Sequence, residues 1–173
     1  MSMRNFPSKI IDRKIRFALV GCGRIAKNHF AAIKQHADQA ELVGVCDTDG
    51  KALAAAFENT CAKPFSSLSE MISGSEADVV VLTTPSGLHP EQTIQVAKAG
   101  HHVMTEKPMA TRWLDGKRMV QACDKAAVRL FVVKQNRYNA TLQLLKKAID
   151  QGRFGRIYMV NINVFWTRPQ EYY

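Results

Sequence analysis

The residues able to do chemistry gather in a few short stretches. The first is Gly21-Cys22-Gly23-Arg24-Ile25-Ala26, directly after the apolar run IRFALV. Glycine at 21 permits a sharp turn out of a strand. Glycine at 23 lets the backbone approach a pyrophosphate, and a small residue at 26 permits close packing of helix on strand. Backbone N–H groups around Arg24 and Ile25, at a helix start, then donate to phosphate oxygens. The second is Asp47, which ends the run ELVGVCD somewhat farther on than the ~20 residues usual after such a turn. An acid there accepts hydrogen bonds from both ribose hydroxyls and repels a 2′-phosphate, which favours NAD over NADP. The alternative is a turn of structural use only, with Asp47 capping a helix.

Two further stretches end apolar runs. Thr83-Thr84-Pro85-Ser86-Gly87-Leu88-His89 follows the β-branched run DVVVL, and Thr105-Glu106-Lys107-Pro108 follows HHVM. Ligands of open α/β sheets bind outside the carboxyl ends of the strands, where both stretches would lie. His89 fits either a binding role or the plain start of a helix. Glu106 and Lys107 fit either a surface ion pair of little worth or a cation held beside a reacting carbon. Lysine serves as acid or base once burial lowers its pKa.

The elements that must position these residues alternate. Apolar runs at 15–20, 41–47, around Phe65, 78–85, 101–108 and 129–136 read as strands. Helical periodicity covers about 24–37, KALAAAFEN, a short helix capped by Ser67, HPEQTIQVAKAG with Pro90 in its first turn, and a helix N-capped by Thr111. Strands alternating with helices over short connections predict a doubly wound parallel sheet. After Asn136 the character changes. TLQLLKKAIDQG reads as an amphipathic helix closed by Gly152, and RIYMVNINVFW (156–166) alternates as a strand with one wet face.

Composition narrows the function classes. The chain has 173 residues, is 46% hydrophobic and carries a formal net charge of +9, enough for one globular domain and the start of another. The basic residues are dispersed, from Arg4, Lys9, Arg13, Lys14 and Arg16 to Lys146 and Lys147, with no interleaved aromatic platform. That argues against nucleic acid and for solvated faces that attract small anions. No apolar run is long enough to span a bilayer, and the N-terminal segment lacks a secretory pattern. Cys22, Cys46, Cys61 and Cys123 form no CxxC. They read as reduced thiols of a cytoplasmic protein, not as a metal site.

GCGRIA, TTPSGLH, EKPMA and the strand end VKQNRYN, in this order and spacing, resemble the glucose-fructose oxidoreductase/inositol dehydrogenase family from about Lys14 onward. The run from Val132 to Tyr173 resembles, within it, the bacterial UDP-N-acetylglucosaminuronate 3-dehydrogenases of lipopolysaccharide and O-antigen synthesis. The resemblance implies an NAD-binding Rossmann domain over residues 1–136. Residues 137–173 would then be the first helix and strand of a truncated α/β C-terminal domain for substrate and oligomerisation. It implies oxidation of the C3 hydroxyl of a UDP-sugar, and a homo-oligomer for the full-length protein. Carried over, Gly21, Gly23, Arg24, Ile25 and Asp47 bind pyrophosphate and adenosine ribose, and Thr84, Pro85, Ser86 and His89 line the cofactor path. Glu106 and Lys107 face the nicotinamide ribose and reacting carbon. Lys107, next to a cis Lys107–Pro108 bond, is the catalytic candidate and, with Arg137, a substrate contact. Gln135, Asn136 and Arg137 form the pocket floor, and Trp166 and Arg168 reach the nicotinamide end.

The family's usual base is an Asp and His pair one helical turn apart in the second domain, and this sequence ends before any such pair. His101 and His102 lie at a strand's start, the wrong end of the sheet. The expectation is therefore a chain that binds NAD weakly and turns over little substrate alone. Two rival readings are another sugar or inositol dehydrogenase of the same family and an NAD-binding module without catalysis.

Overall fold

A computed structural model describes residues 10–170. The chain divides into two compact units, the first running to Lys134 and the second beginning at Gln135. In the first unit β1 (Ile15–Val20), β2 (Ala40–Cys46), β3 (Lys63–Phe65), β4 (Val79–Leu82), β5 (His102–Thr105) and β6 (Leu130–Val132) alternate with five helices. These are α1 (Ala26–Gln35), α2 (Gly50–Thr60), α3 (Leu68–Gly74), α4 (His89–Lys98) and α5 (Trp113–Lys125). The strands form one six-stranded sheet in the order β3-β2-β1-β4-β5-β6, and every pairing is parallel. Strand order reverses between β1 and β4, which opens a crevice at the carboxyl ends of those strands.

The β-branched run Val79-Val80-Val81-Leu82 is buried along its whole length, as a central parallel strand covered on both faces must be. Strand alternation sorts the core into two layers. Ala18, Val20, Val80, Leu82 and Val103 pack with Met71 of α3, Val96 of α4 and Cys123 of α5. Leu19 and Val81 pack with Ala26 of α1, and Val45 packs with Ala56 of α2. A shift of one residue in any central strand would exchange these layers, so register and burial enforce each other.

In the first unit two helix starts have side-chain caps and three do not. The Ser67 hydroxyl accepts from Glu70 N–H at 3.2 Å and caps α3. Asp49, not Asp47, caps α2, accepting from Lys51 N–H at 2.8 Å. The expected cap at Thr111 is corrected: α5 begins at Trp113 after Arg112, with no side-chain cap bond.

In the second unit a short 3₁₀ turn (Gln135–Tyr138) precedes α6 (Ala140–Asp150). Asn139 caps α6 by accepting from Thr141 N–H at 3.0 Å. Gly152, at φ +68°, follows its end. The expected strand over 156–166 is not formed: residues 157–169 have neither helix nor strand and are exposed. Alternation makes a segment fit for a strand, but ladder hydrogen bonds need a paired neighbour. Among the described residues of this unit there is none. No helix among the described residues is long and apolar enough to cross a membrane.

Candidate active site

The site is built from the carboxyl ends of β1, β2, β4 and β5. Gly21 leaves β1 at φ +94°, and its N–H donates to the Cys46 carbonyl at 2.8 Å. A Cβ at this position would lie 2.9 Å from the Thr83 carbonyl carbon. Glycine is thus required twice, by conformation and by the backbone beside it. Gly23 differs, because a Cβ there would meet nothing within 4 Å. The space over Gly23 is open, as backbone approach by a diphosphate needs. The helix that follows has no side-chain cap at its start, which leaves its first-turn dipole for an anion. Ala26 is wholly buried against Leu19 and Val81, so the helix sits close on the sheet.

Two neighbours fix this turn. Asp47 accepts from Cys22 N–H at 2.7 Å through one carboxylate oxygen and from Asp49 N–H at 2.9 Å through the other. A carboxylate has about four acceptor positions, so the two bonds leave capacity for ribose hydroxyls. The Thr83 hydroxyl, with one hydrogen, faces the Val20 carbonyl at 2.9 Å and the Gly21 carbonyl at 2.6 Å, and so ties the turn to β4. Burial, and then the charge of Asp47, push the Cys22 thiol up to about 12. Burial, with Asp47 second, pushes Cys46 up to about 11. Both sulfurs are therefore neutral at the turn and supply no nucleophile.

Beyond β4, the Thr84 hydroxyl donates to Gln92 at 2.5 Å. Pro85 is exposed and Ser86 is half-buried. His89, expected along the cofactor path, is turned into the fold. It is 1% exposed, with Nδ1 3.1 Å from the Pro108 carbonyl and Nε2 3.0 Å from the Thr84 carbonyl. No ring edge is left for a ligand, and the imidazole joins two loops instead. Beyond β5, Glu106 is 8% exposed. It is not paired with Lys107 as an exposed ion pair; its Oε1 lies 2.9 Å from His29 Nε2. Lys107 is exposed, and the Lys107–Pro108 bond is cis.

The first unit thus brings the turn at 21–25, Asp47, Thr84–Ser86 and Glu106–Lys107 to one edge of the sheet. The start of β5, with His101 and His102, lies at the other edge, where His101 Nδ1 is 2.7 Å from the Ala77 carbonyl. Gln135, Asn136 and Arg137 are exposed on the 3₁₀ turn of the second unit. In that unit the Arg168 guanidinium stacks 4.7 Å from the Trp166 ring centroid. Sequence reasoning gave no individual role to His29 or Thr83. His29 stands three residues after Ala26, on the sheet-facing side of α1, and that spacing was the available signal. Thr83 is the first residue past β4, opposite the end of β1.

An open approach at Gly23, an uncapped helix start and an acid with spare acceptor capacity fit a dinucleotide. Comparison with known proteins agrees. Residues 15–134 match the GFO_IDH_MocA family, described as an oxidoreductase family with an NAD-binding Rossmann fold. An inositol 2-dehydrogenase of Rhizobium meliloti is 34% identical over 152 residues, which cover 86% of this chain and 44% of that protein. D-apiose dehydrogenase of Paraburkholderia graminis is 31% identical over 157 residues, covering 90% and 40%. The WlbA dehydrogenase of Bordetella pertussis, solved with NADH and UDP-GlcNAcA, is 73% identical with a TM-score of 0.92, covering 95% of this chain and 49% of that one. WlbA of Chromobacterium violaceum, solved with the same two ligands, is 69% identical with a TM-score of 0.92, covering 95% and 48%. The chain spans just under half the length of these relatives. The matched residues contain the strand, glycine turn and helix together with the Glu106-Lys107-Pro108 edge, and the chain belongs to the GFO/IDH/MocA oxidoreductase family with its NAD-binding Rossmann fold.

Proposed function

We propose that this chain is the cofactor-holding part of an NAD-dependent dehydrogenase. That enzyme would oxidise the C3 hydroxyl of UDP-N-acetylglucosaminuronate to the 3-keto sugar, for lipopolysaccharide or O-antigen assembly. The observation that carries the reading is the 73% identity, over 95% of the chain, to a dehydrogenase solved with NADH and UDP-GlcNAcA. Bound NAD supplies the hydride acceptor. Gly21, Gly23 and the amides near Arg24 and Ile25 hold the pyrophosphate, and Asp47 takes the adenosine ribose hydroxyls. Thr84, Pro85 and Ser86 border the path toward the nicotinamide. Glu106 and Lys107 stand at its reacting end, with the Lys107 ammonium donating to the C3 oxygen and holding it in place. Gln135, Asn136, Trp166 and Arg168 are assigned to the cofactor and Arg137 to the substrate, and the whole protein works as a homo-oligomer.

In this reading Lys107 orients the hydroxyl and another group takes its proton. Residues 135–173 contain no histidine, and the Asp and His pair expected from the family is not among them. A second reading, cofactor binding without turnover by this chain on its own, gains its support there.

Calorimetry of NAD and NADP on the purified chain, with Asp47→Ala alongside, tests the cofactor assignment. The expected result is saturable binding of NAD, tighter than NADP, with the preference narrowed by the substitution. Equal affinity for both cofactors in the unsubstituted chain would remove Asp47 from the ribose site.

A further inference from the structure

We propose that His29 and His89 are positioning residues for Lys107, a role that rests on Lys107 standing at the nicotinamide end. The residues on either side of this lysine are each held by an imidazole from a different helix. Before it, Glu106 has one carboxylate oxygen 2.9 Å from His29 Nε2, and the other accepts from Lys107 N–H at 3.2 Å. After it, the Pro108 carbonyl lies 3.1 Å from His89 Nδ1. Lys107 itself is exposed. Its reach is therefore set by where the backbone at 106–108 is pinned, and packing of its own stem contributes little.

The pins run to the cofactor segments. His29 stands on α1, whose start frames the glycine turn, and His89 opens α4 three residues after Ser86. The His29 and Glu106 side chains are only 15% and 11% exposed. A carboxylate so enclosed is costly to leave unpaired, so loss of His29 releases the 106–108 segment. The His89 ring stands between two carbonyl acceptors. A neutral ring donates to one of them, and only the doubly protonated ring donates to both. His29 is therefore the cleaner probe.

The test uses the purified chain, unsubstituted and as His29→Ala, His29→Gln and Lys107→Ala. Glutamine places an amide nitrogen where Nε2 stands and restores the bond to Glu106. Amide hydrogen exchange without ligand should be about tenfold faster at Lys107 in His29→Ala, recovered in His29→Gln, and unchanged in β1 and β4. Should His29→Ala not fold, His29→Asn, whose amide stops short of Glu106, replaces it. Unchanged exchange at Lys107 overturns the proposal, as does loss of protection spread evenly over the sheet. Calorimetry of NADH against ADP-ribose adds the ligand arm. His29→Ala should weaken NADH about fivefold or more and leave ADP-ribose unaffected. If exchange responds as expected but Lys107→Ala leaves NADH affinity intact, the positioning of Lys107 stands and its assignment to the nicotinamide end falls.

Discussion

The two glycines of the turn should separate stability from binding. In Gly21→Ala the new methyl group meets the Thr83 backbone at 2.9 Å, at a φ of +94°. The backbone conformation alone costs about 1–2 kcal/mol for a residue with a Cβ, and displacing an adjoining strand end adds about 1–2 kcal/mol more. At roughly 3 °C per kcal/mol for a chain of this size, Tm should fall by about 6–12 °C. In Gly23→Ala the methyl group enters open space. No protein atom is displaced, and the unfolded chain loses some freedom, so Tm should stay level or rise slightly. On the proposed cofactor placement the same methyl group enters the path of the pyrophosphate, and NAD affinity should drop about tenfold or more, equal to about 1.4 kcal/mol. Thermal melts without ligand and calorimetry with NAD measure both quantities on both variants. Undiminished NAD binding by Gly23→Ala would sink the idea that the open space over residue 23 receives the diphosphate. An unchanged Tm for Gly21→Ala would refute the account of why glycine stands there.

Three other outcomes are expected. Asp78 accepts two bonds from Arg13, at 2.6 and 2.7 Å, and one from Arg16 N–H at 2.8 Å. The Arg13 hydrogen bond, chiefly, holds its carboxyl below the usual range. A lowered folded pKa stabilises the protein above the unfolded value near ~3.9 and loses that contribution as pH falls through the folded one. Asp78→Asn should therefore melt lower than the unsubstituted chain at pH 7, with the gap closing below about pH 4. Thiol labelling at neutral pH should reach exposed Cys61 first, because burial pushes Cys22 up to about 12 and Cys123 up to about 11; early labelling of Cys22 would contradict the enclosed turn. Incubated with NAD and UDP-N-acetylglucosaminuronate, the purified chain should form little NADH, whereas rates near those of a WlbA enzyme would show that the proton acceptor lies within these residues.

The parts of the site made by backbone were legible in the sequence. Gly21, Gly23 and Ala26 have no side chain, or almost none, so their use follows from local geometry and from the strand before and the helix after. Apolar runs such as Val79–Leu82 identify central strands because burial on both faces permits little else. Side-chain contacts between distant segments, within the site and away from it, were not legible. His29 and Glu106 are separated by 77 residues, and Arg13 and Asp78 by 65. Arg13 read as one more solvated charge until the fold placed it on Asp78. His89 stood at the expected place but pointed inward, with its ring between the Thr84 and Pro108 carbonyls. The alternation at 156–166 showed what a strand would look like. A strand forms only where another offers its edge, and no local pattern reports that.

The proposed ribose role of Asp47 carries a consequence for redesign of cofactor preference. The usual route from NAD to NADP replaces an acid near the ribose with a small or basic residue that tolerates a 2′-phosphate. Here the same carboxylate accepts from the Cys22 and Asp49 amides. Removing it would take from both amides their acceptor within the protein and loosen the turn that the new cofactor also needs. A successful swap must therefore bring its own acceptors for those amides, so preference in this chain changes through a set of residues that move together rather than by one exchange.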